Sequence, residues 1–175
     1  AYLNEYDVFY FLVDSSLYSY NLITEAFKTI ATGIGSEDYV YSVSKRYIAY
    51  QEQGQTDCIR ILYPETGKTV ELLPEPGEYI KRLDRSEDNL ICGYGRTEDL
   101  GSNEDGSTIY AMYKVRICSA FGQLRKEYRK DGYFVSDAYA DGNIIRLERL
   151  EPGTERKYEM AAEDYILSQE QVVTE

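Results

Sequence analysis

Histidine and tryptophan are both absent from this chain of 175 residues. Without histidine, catalysis by a Ser-His-Asp or Cys-His arrangement is excluded, and so are zinc and non-haem iron sites that depend on imidazole ligands. Pairs of carboxylates remain as catalytic groups, but 31 acidic residues bring pairs such as Glu37 and Asp38 together by chance. The sequence therefore favours a non-enzymatic protein and predicts no cofactor and no metal.

Cysteine is scarce, and long hydrophobic runs are missing. Cys58, Cys92 and Cys118 form no C-x-x-C pair and lie in apolar, strand-like runs, which predicts buried free thiols; one disulfide with a leftover thiol is the alternative. No apolar run reaches the ~20 residues that a spanning helix needs, so we expect no membrane insertion by this segment. The opening AYLNEYDVFYF has neither an initiator methionine nor a charged leader, so we expect a segment of a longer protein.

Positive charge is in short supply, whereas tyrosine is abundant. There are 19 lysines and arginines against 31 acidic residues, and the net charge of −12 repels nucleic-acid phosphates and anionic lipid. We therefore predict no nucleic-acid partner, while cationic partners remain open. The 19 tyrosines favour β-structure, because the ring packs while the hydroxyl reaches water.

Hairpin patterns recur along the chain. Residues 17–31, 59–73 and 113–128 each alternate apolar and polar side chains on both sides of a short turn. Gly67 and Gly122 occupy two of these turns, where a positive φ is required. The spacing matches a propeller-blade period of about 40–45 residues once an acidic insertion at 97–107 is left out.

Further strand candidates surround the hairpins and bring each unit to four strands; they lie at 8–13, 39–44, 47–53, 79–84, 90–96, 133–139, 143–150 and 157–161. The first unit lacks its opening strand and the last its closing strand. A strand at 157–161 either completes the first blade and closes a ring, or the chain is about half of a larger propeller. The predicted fold is all-β, with antiparallel four-stranded blades of a β-propeller or of a propeller fragment.

The domain prediction has two parts. Residues 1–160 form a propeller-like domain of about three and a half to four blades. Residues 161–175 form a short helix or a linker tail. Helical spacing predicts the helix at 162–170, because one mildly apolar face results from Ala162, Tyr165, Ile166, Gln169 and Val173.

The segments VFYFLVDSSLYSYNL and IRILYPETGKTVELL, with ETGK at 65–68, resemble the degenerate repeats of WD-repeat-like and Tol-type bacterial β-propellers. The resemblance extends over about residues 6–150, although the chain has no Trp-Asp or Gly-His pair. It implies a binding platform rather than an enzyme, in an extracytoplasmic, bacterial setting.

The insertion TEDLGSNEDGS at 97–107 is the one departure from the repeat, so we predict that it is the contact element. The candidate binding residues are Glu98, Asp99, Asn103, Glu104, Asp105 and Tyr110. A calcium loop is an alternative, but placing Gly106 at the sixth position puts Gly101 first and Met112 twelfth, where ligands are required.

Two other motifs have a structural and a functional interpretation. CGYGR at 92–96 suggests a bulge or tight inter-blade packing rather than a phosphate loop. Tyr39, Tyr41, Tyr47 and Tyr50 form either inter-blade core or a ligand platform, and Tyr39 and Tyr41 are expected to share one strand face.

The predicted function is a non-enzymatic protein-interaction or scaffolding module. The alternative is a glycan-binding or glycan-processing accessory domain that uses tyrosines and carboxylates. The expected partner is another protein or the rest of a parent chain, and a homodimer through the open blade edges is a third arrangement.

Overall fold

We analysed a computed structural model that describes residues 1–155 and 157–168. These residues are arranged in antiparallel sheets, and their one helical element is a 3₁₀ turn at Thr97–Asp99. Within the described residues, no helix has the length and apolar character needed to cross a membrane. The all-β prediction is confirmed.

The first two sheets are four-stranded meanders. Blade 1 contains β1 (Tyr2–Leu3), β2 (Val8–Val13), β3 (Ser16–Asn21) and β4 (Phe27–Thr32). Blade 2 contains β5 (Tyr39–Tyr41), β6 (Ile48–Tyr50), β7 (Ile59–Tyr63) and β8 (Lys68–Leu72). In both blades the strands pair in chain order, as the repeated hairpin pattern predicts.

The remaining strands form blades 3 and 4. Blade 3 contains β9 (Glu78–Ser86), β10 (Asn89–Arg96), β13 (Met112–Cys118) and β14 (Leu124–Tyr128), and the insertion between β10 and β13 contributes the small hairpin of β11 (Gly101–Ser102) and β12 (Thr108–Ile109). Blade 4 contains β15 (Phe134–Asp141), β16 (Ile144–Pro152) and β17 (Tyr158–Leu167). One residue pair, Met112 with Val135, joins the two blades into a continuous sheet.

Apolar side chains fill the spaces between consecutive blades, because alternate residues of each strand point to opposite faces. Tyr10 and Leu17 of blade 1 pack with Tyr50 and Leu62 of blade 2. The next two cores repeat this arrangement: the core between blades 2 and 3 includes Ile59, Ile61, Ile80 and Cys92, and the core between blades 3 and 4 includes Ile91, Val115, Val135 and Leu147. Sheets stacked face to face in this way form the arc of a propeller.

The structure corrects one expectation about the ends of the arc and decides between two alternatives. Blade 1 does have an opening strand, β1, although it has only two residues. The strand near 157–161 does not complete blade 1: it is the start of β17, which pairs with β16. Among the described residues, no strand of blade 4 pairs with blade 1, so strand pairing leaves the arc open.

The predicted helix at 162–170 is wrong over the part that the structure describes. Tyr158–Leu167 is a ten-residue strand that extends across the expected boundary at residue 160. A bulge opposite Leu147–Arg149 shifts the alternation of β17, so its apolar residues lose the strict period of two and imitate helical spacing. Residues 169–175 of the predicted helix and tail lie outside the described residues.

Candidate interaction site

The insertion forms a hairpin whose base is attached to the blades and whose tip is exposed. Leu100 packs against the core between blades 3 and 4, and the carbonyl of Asp99 accepts a hydrogen bond from the Tyr158 hydroxyl of β17. Gly101 and Ser102 pair with Ile109 and Thr108, and residues 102–108 are exposed. The hairpin is therefore presented on a fixed stem.

Hydrogen bonds within the tip hold its shape. The backbone NH and the hydroxyl of Ser107 donate to Asp105 Oδ1, at 2.9 and 2.6 Å. Asn103 Nδ2 donates to Ser107 Oγ at 2.8 Å. The hydrogen bonds from the hydroxyl and the NH of Ser107 lower the pKa of Asp105, so this carboxylate stays charged to a lower pH than an isolated aspartate does.

The predicted binding residues occupy three places. Asn103, Glu104 and Asp105 are together at the exposed tip. Glu98 and Asp99 lie in the 3₁₀ turn at the stem, where Asp99 Oδ2 is 3.4 Å from Arg96 Nη1. Tyr110 is directed inward, with its ring edge-on to Tyr79 at 5.5 Å and Lys81 Nζ at 3.9 Å above it. In the part of the chain that the structure describes, no group of three or more potential ligands could hold a metal ion.

The sequence did not predict a cluster of charged residues that lies on the inner strands. β9 is the inner edge of blade 3. Its Arg82 guanidinium donates to the carbonyl of Glu37 before blade 2, and Asp84 Oδ2 accepts from the NH of Ala140 in blade 4 at 2.8 Å. Desolvation lowers the pKa of Lys81 and raises the pKa of Asp137. The negative charge of Asp137 and the positive charge of Lys81 oppose these two shifts. The run KRLDR within a strand flanked by apolar residues was the available signal.

The tyrosine cluster is mainly core. Tyr47 and Tyr50 are fully buried between blades. Tyr39 and Tyr41 share a face, as predicted, because they pair with Tyr50 and Ile48 on one side of blade 2. Tyr39 is half-buried and Tyr41 exposed, and both line a cleft of about 440 Å³ between blades 1 and 2.

The CGYGR segment contains the predicted bulge, and its glycines serve packing within blade 3 rather than between blades. A side chain at Gly93 would meet Met112 Sδ, and one at Gly95 would meet the ring of Tyr79, each at 2.1 Å. The pairing of β10 with β13 is interrupted by a bulge between Tyr94 and Gly95. The two glycines therefore allow close approach of side chains from both neighbouring strands.

The outer face of blade 1 carries an aromatic cluster. Phe9, Phe11, Tyr18 and Phe27 form ring contacts with centroid separations of 5.2–6.4 Å. These residues alternate with Tyr10 and Leu17, which face blade 2, and Phe27 is exposed. We call these four residues the blade 1 aromatic face.

Solved structures are similar to this chain over most of its length. A protein of Clostridium novyi NT assigned as a conserved lipoprotein has a TM-score of 0.58 and 15% identity, over 79% of this chain and 89% of that chain. The β-propeller domain of the trilobed protease of Pyrococcus furiosus has a TM-score of 0.47 and 16% identity, over 87% of this chain and 48% of that chain. This chain thus spans about half the length of that propeller domain. No protein-family model and no curated protein matches the sequence. The stacked antiparallel meanders make the fold β-propeller-like.

Proposed function

We propose that this chain is a non-enzymatic protein-interaction module and that the tip of the 97–109 hairpin is its contact element. The observation that carries the proposal is an exposed acidic tip that is ordered by its own hydrogen bonds and fixed on a packed stem. A preformed loop loses less conformational entropy when it binds than a flexible one. Loops on a rigid scaffold are common positions for binding residues.

The partner that suits this tip is a basic segment of another protein. Glu104 and Asp105 are exposed and Glu98 lies exposed at the stem, in a chain with a net charge of −12. This distribution attracts cations and accelerates their association. The binding should weaken as salt screens the charges.

The experiment uses an octalysine peptide as the probe. E104Q combined with D105N removes two tip charges while keeping the acceptor oxygen toward Ser107. We expect octalysine binding to weaken about two- to fivefold per charge removed, as for exposed ion pairs, in an NMR titration. Deleting 97–107 is a poorer test, because Leu100 and Asp99 are attached to blades 3 and 4.

The matched control is E25Q combined with E75Q, which removes the same charge from two other exposed loops. Octalysine should shift the amide resonances of residues 98–107 in the NMR spectrum of the control protein, as it does in that of the original chain. Equal weakening by the control pair, or unshifted 98–107 amides, would reject the hairpin as the contact element.

A second candidate function is saccharide binding in the cleft between blades 1 and 2. Tyr2, Tyr39 and Tyr41 line this cleft of about 440 Å³, and aromatic side chains combine apolar area with hydrogen-bonding capacity. A glycan array tests it. Absence of saccharide binding at millimolar concentration eliminates this candidate.

We further propose that the module assembles through its terminal blades, with the rest of a parent chain or with a second copy. The blade 1 aromatic face supports this, because the equivalent faces inside the arc are covered by a neighbouring blade. An extracytoplasmic setting is proposed from the lipoprotein assignment of the Clostridium novyi protein.

A further inference from the structure

The two rims of the arc carry different surfaces. In an antiparallel meander, the turn after the first strand and the turn after the third strand lie at the same end of a blade. The insertion follows the second strand of blade 3, so it belongs to the opposite rim. We call the rim that contains the turns after the first and third strands the first rim. Hydrogen bonds between such turns of adjacent blades show that they lie together: Asn4 Nδ2 donates to Pro64 O at 2.9 Å, and the NH of Ser44 donates to Asp88 Oδ1 at 2.8 Å.

A cleft of about 470 Å³ opens on this first rim, and three cations line it. Lys45 and Arg46 come from the turn between β5 and β6, and Lys68 from the start of β8. Phe121, in the turn between β13 and β14, adds an aromatic ring that is 71% exposed. The cleft thus combines positive charge with apolar surface.

One acidic residue, Glu65, lines the cleft and another, Asp88, is bonded to the lining residue Ser44; both carboxylates already accept hydrogen bonds. Glu65 accepts hydrogen bonds from the Tyr2 hydroxyl at 2.8 Å and from the NH of Glu5 at 3.3 Å. Asp88 accepts from Ser44, and this hydrogen bond, together with the charge of Arg46, lowers the pKa of Asp88. Within the described residues, Lys45, Arg46 and Lys68 form no ion pair within 4 Å, although carboxylates greatly outnumber cations in the chain.

The cleft borders a second one, and we call the two clefts together the groove. Tyr2 and Lys45 line both this cleft and the cleft of about 440 Å³ between blades 1 and 2. Unpaired cations that follow a groove with exposed aromatic side chains fit a linear anionic ligand with interspersed apolar groups. We propose that this groove binds an acidic segment of a partner protein in an extended conformation. The site is separate from the acidic hairpin, which requires a basic partner.

The test measures anisotropy of a fluorescein-labelled octaglutamate peptide titrated with the intact chain. R46Q and K68Q should each weaken binding about two- to fivefold, as for exposed charge pairs. R125Q is the matched control: it removes the same charge from the exposed outer strand β14 and should leave binding unchanged. Circular dichroism verifies that the variants keep the fold.

The outcomes separate this groove from its alternatives. Equal weakening by R125Q, or equal binding of octaglutamine, would overturn the proposal. So would glucuronic acid binding without octaglutamate binding, which would instead indicate an anionic-sugar site. Loss of peptide binding as the chain self-associates would show that a second copy covers the groove. E104Q with D105N should not weaken octaglutamate binding, so failure of this proposal is distinguishable from failure of the hairpin proposal.

Discussion

At the scale of single residues, packing space decides the role of Gly95. Its backbone does not require glycine, because no positive φ occurs there, but a methyl group would lie 2.1 Å from Tyr79. We expect G95A to lower the free energy of unfolding by about 1–3 kcal/mol through overpacking, measured by urea denaturation. In a Y79L background the ring is gone, so G95A should cost less; equal costs in both backgrounds would contradict this explanation.

The three thiols provide a second residue-scale prediction. Cys58, Cys92 and Cys118 are free and buried, and burial raises the pKa of each thiol. The reactive thiolate is therefore scarce in the folded chain. Ellman's reagent should react negligibly before unfolding and with three thiols per chain afterwards. Two unreactive cysteines after unfolding would indicate a disulfide.

The sequence carried part of this residue-scale information. Apolar context predicted free thiols, and two glycines inside a strand pattern predicted a bulge or tight inter-blade packing. The structure contains the free thiols and the bulge, while the close packing at the two glycines lies within blade 3. The links made by Arg82 and Asp84 could not be predicted, because they join residues 45 and 56 positions apart in the chain. Which inner strands become neighbours depends on the stacking of whole blades.

At the scale of elements, one carboxylate of β17 adds side-chain contacts with β14 and β16 to the strand's backbone pairing with β16. Asp164 Oδ2 accepts from the Tyr128 hydroxyl at 2.8 Å and lies 3.3 Å from Nη1 of the buried Arg149. Burial acts to raise the pKa of Asp164, but the hydrogen bonds from Tyr128 and Tyr165 and the charges of Arg149 and Lys130 outweigh it, and the pKa is lowered. The carboxylate therefore stabilises the folded chain in its charged form.

We predict that D164N lowers the free energy of unfolding by about 1–2 kcal/mol at pH 7, because it leaves Arg149 without its charged partner. A lowered pKa in the folded state gives stability that is present above the unfolded pKa and lost as pH falls through the folded pKa. The difference between D164N and the original chain should thus disappear in acid. Urea denaturation at both pH values measures it.

E163Q is the control for this element. Glu163 pairs with Arg146 on the other face of β17, where both side chains are exposed, and such pairs contribute little. We expect a change below about 0.5 kcal/mol at either pH. A D164N effect that persists unchanged in acid would show that charge is not the cause.

Some elements could be predicted from the sequence and others could not. The hairpin turns were predictable because Gly67 and Gly122 adopt positive φ. The first hairpin uses Glu25 in that conformation, with Asn21 Oδ1 accepting from the NH groups of Ile23 and Thr24. β1 is too short to show the alternation of apolar and polar residues. The bulge in the β16–β17 pairing interrupts that alternation in β17, so its sequence resembled a helix.

At the scale of the whole molecule, the open end of the arc is the main feature. The blade 1 aromatic face would be covered by apolar side chains if another sheet stacked on it. Self-association would bury it, although the net charge of −12 opposes the approach of two copies. The balance between these two effects depends on ionic strength.

We predict a dimer fraction that rises with salt and with protein concentration in sedimentation equilibrium. F27K places a charge in the aromatic face and should shift the chain toward monomer. I23K adds the same charge at the exposed turn of blade 1 and should have little effect. A monomer at every salt concentration, or equal effects of both variants, would exclude this surface as the contact.

The location of the cores between consecutive blades has a consequence for how the molecule comes apart. Blades 2 and 3 are each held from two sides, whereas blades 1 and 4 are each held from one. Where each unit touches only its immediate neighbours, opening proceeds stepwise from the ends inward. Amide hydrogens of β2 and β3 should therefore exchange with solvent before those of β7 and β10, and a peripheral blade can be lost or gained while the middle of the arc keeps its packing.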